Sequence, residues 1–139
     1  MTEAINEIIF LENTCKKIQQ NLPNMRFVGV INQLGHLVAG GFSNDVSPYL
    51  SSDRELMMYM GLVLELNMRK DFDDALGQVN YLHSQRGKVS TISIPMGKHI
   101  VLLATEIDAD IPKTVSKVKK EFLDLKIIDA NLKPVIEIL

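Results

Sequence analysis

The stretch that decides the fold is QVNYLHSQRGKVSTISIPMGKHIVLLAT, residues 78–105. Three runs rich in β-branched and apolar residues predict strands, and each connection between them contains a glycine, which is typical of hairpins. The predicted strands are Val79–Ser84, Val89–Ile94 and Ile100–Thr105. The third begins with five apolar residues, so both of its faces should be covered. We therefore expect it to lie in the middle of the sheet.

Upstream of this meander the sequence predicts a helix followed by a hairpin. Apolar residues recur at three- and four-residue steps from Thr2 to Leu22, and Pro23 ends that helical pattern. Two short apolar runs, Met25–Ile31 and His36–Gly40, then predict a pair of antiparallel strands.

The next predicted helix carries more apolar surface than one sheet can cover. Ser52 and Glu55 have the spacing of a capping box, so the helix should run from about Asp53 to Lys70. At about 100° per residue its apolar side chains cover about 240° of the helix, whereas one packing surface needs about 100°. We therefore expect a second copy of the chain to cover the surplus, at an interface that includes Met57, Met60, Gly61, Leu64 and Met68. The alternative is a heterodimer with a related chain.

The remaining segments are shorter. We expect Phe72 and Leu76 to pin down an acidic turn before the meander. Ile111-Pro112 predicts the start of a last helix, because proline suits the first helical position. Residues 126–139 are too apolar for a solvated tail. We expect residues 1–125 to form one domain, and residues 126–139 to be an apolar extension that docks on this domain or on a partner chain.

Composition excludes several classes of partner. The chain has 139 residues, a formal net charge of −2 and one cysteine. The absence of a basic surplus argues against nucleic acid. The longest nearly apolar run, Leu56 to Leu66, is far shorter than the roughly 20 residues of a membrane span. The lone cysteine and the absence of a signal-peptide pattern predict a cytoplasmic location.

The sequence shows no catalytic motif. His36, His83 and His99 lack the spacing of metal ligands, and neither Gly87-Lys88 nor Gly97-Lys98 has the upstream glycine of a phosphate-binding loop. Cys15 falls on the apolar stripe of the first helix, which favours inert packing. We therefore predict no catalytic, metal-binding or cofactor-binding residues, and a protein that is not an enzyme.

The order helix, hairpin, long helix, three-stranded meander, helix resembles the roadblock (dynein light chain) family, within a group that includes longin and profilin-like folds. The resemblance implies an α+β sandwich with a five-stranded antiparallel sheet of order 2-1-5-4-3. The long central helix would cover one face, and the N- and C-terminal helices the other. Roadblock proteins typically homodimerise through the central helix and the neighbouring edge strand, here residues 79–84, which adds Tyr81 to the expected interface. They serve as scaffolds or regulators of small GTPases.

The resemblance favours a non-catalytic interaction module in signalling or trafficking. The alternative is a small-ligand sensor of the PAS or profilin-like type, since PAS domains share this strand order. PAS domains usually place several short helices, with a ligand pocket, where this chain has one long helix. A sensor would need a pocket of roughly 300 Å³ or more between the sheet and the central helix. We expect none there.

Overall fold

The computed structural model describes residues 2–123, which form the predicted α+β sandwich. In chain order the elements are α1 (Thr2–Asn21), β1 (Met25–Ile31), β2 (Leu37–Phe42), α2 (Ser52–Arg69), a 3₁₀ turn (Lys70–Phe72), α3 (Asp73–Leu76), β3 (Leu82–Gln85), β4 (Ser90–Met96), β5 (His99–Thr105) and α4 (Ile111–Glu121). The five strands form one antiparallel sheet in the order β2-β1-β5-β4-β3. The predicted topology is confirmed.

Strand β5 lies at the centre of the sheet, as its apolar sequence predicts. It pairs with β1 on one side and with β4 on the other. Because side chains alternate along a strand, Val101 and Leu103 enter one core while Ile100 and Leu102 enter the other. Both cores therefore depend on this one strand.

The two faces of the sheet are covered by different helices. On one face α1 and α4 pack together, and their buried apolar side chains are Leu11, Cys15 and Ile18 from α1, Val115 and Val118 from α4, and Phe122 at the C-cap of α4. On the other face α2 packs alone, through Tyr59, Val63 and Leu66. This places the long helix by itself on one side, as predicted.

Arg26 anchors the loop that leads from β2 into α2. Its guanidinium pairs with Glu106 at 3.2 Å from Nη1 to Oε1, and Nη2 donates to the Ser47 carbonyl oxygen at 3.1 Å. The same group lies 4.3 Å from the centre of the Tyr49 ring, a cation–π contact. These contacts hold the loop against the sheet immediately before the cap of α2.

That cap lies one residue earlier than the capping-box spacing predicts. Ser51 is the N-cap residue of α2, and its hydroxyl accepts from the Arg54 backbone N–H at 3.4 Å. Glu55 then falls one position too late to complete a capping box with Ser51. The prediction of a helix over this stretch is correct, but the predicted capping residue is wrong.

The edge strand β3 begins three residues later than predicted. Only Leu82 to Gln85 have partners on β4, which are Ser93 to Ser90 in antiparallel order. The remainder of β4, from Ile94 to Met96, pairs with β5 alone. The chain before Leu82 therefore lies outside the sheet, and β3 is only four residues long.

The expectation that Phe72 and Leu76 pin down a turn is wrong. Both side chains are exposed. The chain does not turn away after α2 but continues as a 3₁₀ turn and the single-turn helix α3. Met68, Phe72 and Leu76 thus follow one another at four-residue steps, and all three face solvent.

Gly40 is a position where only glycine fits. Its φ is +83°, and a Cβ there would collide with the Val28 carbonyl oxygen and lie 3.0 Å from Cys15 Sγ. The absence of a side chain at Gly40 leaves room for Cys15 of α1 beside β2. Gly77 offers a matched comparison, because its φ is +85° but nothing lies within 4 Å of the place that a Cβ would take.

We expect Gly40→Ala to lower the free energy of unfolding by about 2–5 kcal/mol. The left-handed backbone accounts for about 1–2 kcal/mol and overpacking for about 1–3 kcal/mol. Gly77→Ala should have no overpacking cost, only a backbone cost of about 1–3 kcal/mol, because its φ of +85° and ψ of 166° lie in a region that essentially only glycine adopts. Urea unfolding of both variants measures the difference, and equal costs would show that the collision with Val28 does not occur.

Candidate functional site

The most unusual surface in the described chain is the side of α2 that faces away from the sheet. Its exposed apolar residues, which we call the outer face of α2, are Leu56, Met57, Met60, Leu64 and Met68. At about 100° per residue they span about 120° of the helix. The exposed fractions of Met57, Leu64 and Met68 are 72%, 64% and 71%. The structure thus brings four predicted interface residues, Met57, Met60, Leu64 and Met68, onto one face.

Met60 differs from the others because it also supports the β1–β2 turn. A Cβ added to Gly35 in that turn would lie 3.1 Å from the Met60 Cα, so the turn packs directly on the helix backbone. Met60 is accordingly only 49% exposed. A charge at this position would disturb the turn as well as the surface, so Leu64 is the cleaner residue to test.

Gly61 lies beside the outer face and leaves the helix backbone open. Nothing lies within 4 Å of the position that a Cβ would occupy there. Glycine costs a helix interior about 1 kcal/mol relative to alanine. The protein therefore carries a destabilising residue at a place where its own fold has room for a side chain.

Tyr81 does not join this surface. It is partly buried against the core formed by α1 and α4, on the opposite side of the sheet from α2. The next residue, Leu82, packs in the α2 core instead. Tyr81 also precedes β3, which begins at Leu82. Because neighbouring residues face opposite sides of an extended chain, the expectation for Tyr81 is not supported by its position.

The two edges of the sheet are different. At the β2 edge, Gln19 Nε2 donates to the Gly41 carbonyl oxygen at 2.8 Å, and Glu12 Oε1 accepts from the Gly40 N–H at 3.2 Å. Helix α1 thereby satisfies backbone groups that an added strand would need. Strand β3 pairs with β4 only, so within residues 2–123 its outer edge has no strand partner.

Sequence reasoning missed the closure of the β2 edge. The available signal was the seven-residue spacing of Glu12 and Gln19, which places both polar side chains on one flank of α1. What that flank faces could not be read from the spacing.

The space between the sheet and α2 is small. Its volume is about 80 Å³, and Phe27, Phe42, Tyr59 and Leu102 are among the residues that line it. Burial, with a smaller contribution from the Glu55 charge, raises the pKa of Tyr59 to about 12, so its hydroxyl stays protonated at neutral pH. This volume is well below the roughly 300 Å³ of a ligand pocket.

A larger groove of about 620 Å³ lies on the other side of the sheet, between α1 and β2. Cys15 lines it. Burial, followed by the Glu12 charge, raises the pKa of Cys15 to about 12, so the thiol is not ionised at neutral pH. The Gly40 N–H and the Gly41 carbonyl oxygen in this groove are already bonded to α1. The groove therefore presents no activated nucleophile.

Among residues 2–123, one of the three histidines has an acidic side chain near it. His36 and His83 are exposed, and His99 Nε2 lies 3.8 Å from Glu7 Oε1. Over residues 2–123, no three His, Cys, Asp or Glu side chains are arranged to hold a metal ion. The helices of this part of the chain also lack the combined length and apolarity that crossing a membrane requires.

Comparison with solved structures confirms the roadblock-like fold. The Roadblock/LC7 domain from Streptomyces avermitilis has a TM-score of 0.63 and 9% identity, over 91% of this chain and 98% of that chain. MglB from Myxococcus xanthus has a TM-score of 0.69 and 12% identity, over 91% and 92% of the two chains. A structure described as MglB with tetrameric arrangement has a TM-score of 0.68 and 12% identity, over 84% and 85%. At these identities the likeness shows the fold alone.

Comparison of the sequence itself gives a family. No curated protein matches it. A family model described as a family of unknown function, DUF6659, matches residues 2–135, which include every element from α1 to α4. The match covers nearly the whole chain, so this roadblock-like protein belongs to the DUF6659 family.

Proposed function

We propose that this protein is a non-catalytic interaction module that works as a homodimer. The two copies would meet through the outer face of α2, with the open edge of β3 beside it. The observation that carries the proposal is the outer face itself, because these large apolar side chains remain in water after the chain has folded. Exposed apolar patches of this kind mark interaction sites.

A two-fold dimer suits this surface because the same patch meets itself. Covering each side chain of the outer face would contribute about 1–2 kcal/mol, since full burial of such a residue contributes about 1.5–3 kcal/mol. Three of the five are methionines, whose flexible side chains adapt to a partner surface. The open backbone at Gly61 would let the two helices approach closely.

The edges of the sheet support the same arrangement. Strand β3 could pair with its copy and extend the sheet, whereas α1 closes the β2 edge with Glu12 and Gln19. Self-association is also compatible with the fold, because one of the similar structures is described as having a tetrameric arrangement. Tyr81 has no role in the interface that we propose.

The dimer would act as a scaffold or regulator in signalling or trafficking. We propose a small GTPase as its client, and the resemblance to roadblock proteins supports this choice. The sensor alternative is weakened by the cavity of about 80 Å³ beneath α2, which is too small for a typical ligand.

We expect light scattering at micromolar concentration to give about twice the chain mass of 15.6 kDa. Leu64→Glu should reduce it to the monomer mass, because the substitution would bury a carboxylate in the interface. In the isolated fold Leu64 is 64% exposed, so the helix content of the variant should be unchanged by circular dichroism.

Ile107→Glu is the matched control for this variant. Ile107 lies in the turn after β5 and is 51% exposed. Like Leu64→Glu, the control variant therefore replaces an exposed apolar side chain by a carboxylate. This variant should remain a dimer. A wild-type protein that is monomeric with α2 intact would refute the proposed dimer.

Gly61→Ala tests whether the two helices approach at this point. In the monomeric Leu64→Glu background the alanine should stabilise the fold by about 1 kcal/mol, because it favours the helix and meets no other atom. In the wild-type background it should weaken the dimer, with a dissociation constant at least about tenfold higher, measured by analytical ultracentrifugation. If Gly61→Ala stabilises the fold and also strengthens the dimer, Gly61 lies outside the interface.

The client can be tested with purified small GTPases, each prepared with GDP and with a non-hydrolysable GTP analogue. We expect calorimetric titration to show one nucleotide form binding the dimer at least about tenfold more tightly than the other, because a regulator must distinguish the two states. Equal binding, or none, would exclude the GTPases tested as clients and would leave the dimer proposal standing.

A further inference from the structure

Helix α1 has an exposed apolar patch that the sheet does not explain. Its buried stripe, Leu11, Cys15 and Ile18, faces the sheet. The N-terminal half also carries Ile5, Ile8 and Ile9, with exposed fractions of 57%, 46% and 51%. We call these three residues the α1 patch. The proposed dimer would not cover it, because α2 lies on the opposite face of the sheet.

The described chain ends close to α1. Glu121 at the end of α4 pairs with Lys17 of α1 at 3.0 Å from Oε2 to Nζ, and Leu123 beyond it is exposed. Lys17 lies eight residues from Ile9, which is about 12 Å along a helix. The sixteen residues that follow Leu123 can span up to about 50 Å. The end of the chain can therefore reach the α1 patch.

The composition of residues 126–139 matches an apolar surface. Its large apolar residues are Ile127, Ile128, Leu132, Val135, Ile136, Ile138 and Leu139. The family model extends from residue 2 to residue 135, so α1 and most of this segment belong to one family unit. Two apolar surfaces within one unit, joined by a short piece of chain, have a high effective concentration for each other.

We infer that residues 126–139 dock on the α1 patch of the same chain. The starting point beside Lys17 favours the helix of the same chain over that of a second copy. The docked segment would complete the side of the sandwich formed by α1 and α4. It would also leave the outer face of α2 as the exposed apolar surface available to partners.

A cysteine placed in the α1 patch of the full chain tests this inference. The native Cys15 is 1% exposed and its pKa is about 12, so a thiol reagent at pH 7 will not label it in the folded protein. In Ile9→Cys the new thiol should be protected by the docked segment. Adding Leu132→Asp and Ile136→Asp should raise its labelling rate by about tenfold.

Two controls separate docking from general loosening. Lys133→Asp changes the charge of the same segment at a polar position and should leave labelling of Ile9→Cys unchanged. Leu34→Cys, at a β1–β2 turn residue that is 70% exposed, should label at the same rate with and without the aspartates. Labelling of Ile9→Cys that is equally fast with and without them would overturn the inference.

The same measurement distinguishes the chain's own segment from that of a second copy. In the Leu64→Glu background, and on dilution, the protection of Ile9→Cys should persist. Protection that disappears under either condition would assign the α1 patch to a second copy and overturn docking within one chain. The readout does not depend on α2, so failure of the proposed dimer would leave this result interpretable.

Discussion

Helix α2 must be stable on a sheet that covers only part of its apolar circumference. Tyr59, Val63 and Leu66 fill the contact with the sheet, and the capped start at Ser51 fixes the position of the helix. Leu56, Met57, Leu64 and Met68 remain exposed, and the β1–β2 turn covers Met60 only in part. Water disfavours such surfaces, and the proposed dimer would cover them.

Polar side chains hold the loop before α2 and bond to backbone groups at the β2 edge. Arg26 ties the loop before α2 to the sheet, and Glu12 with Gln19 closes the β2 edge. Gly40 makes that closure possible, because a side chain there would collide with the Val28 carbonyl oxygen. An edge that is already satisfied resists non-specific strand addition, which directs any pairing to β3. The two edges of the sheet therefore differ from each other, as do the helical layers on its two faces.

The described surface favours binding over chemistry. Cys15 and Tyr59 are the residues whose pKa values burial raises most, and in both cases the neutral, unreactive form is stabilised at neutral pH. The space beneath α2 is packed, and the groove beside α1 has its backbone groups bonded. The exposed apolar residues that follow one another on a helix lie on α1 and α2. These surfaces are the ones that the proposed contacts would cover.

The sequence by itself determined which segments form helices and strands, because those choices depend on local periodicity. It also placed β5 at the centre, since an apolar run such as Ile100 to Ala104 is stable only where both faces are covered. The apolar arc of α2 likewise predicted more apolar surface than one sheet covers. These features are properties of one segment and can be read from that segment alone.

Only the tertiary structure decided which side of the sheet Tyr81 faces, how short β3 is, and which edge α1 closes. Each depends on a partner far away in sequence: Tyr81 on the core of α1 and α4, β3 on the register with β4, and Gly40 on Glu12 of α1. Periodicity shows that a side chain needs a neighbour but does not identify that neighbour. Its identity is set by packing the whole chain at once, because the atoms that exclude water from one residue belong to segments that become adjacent only on folding.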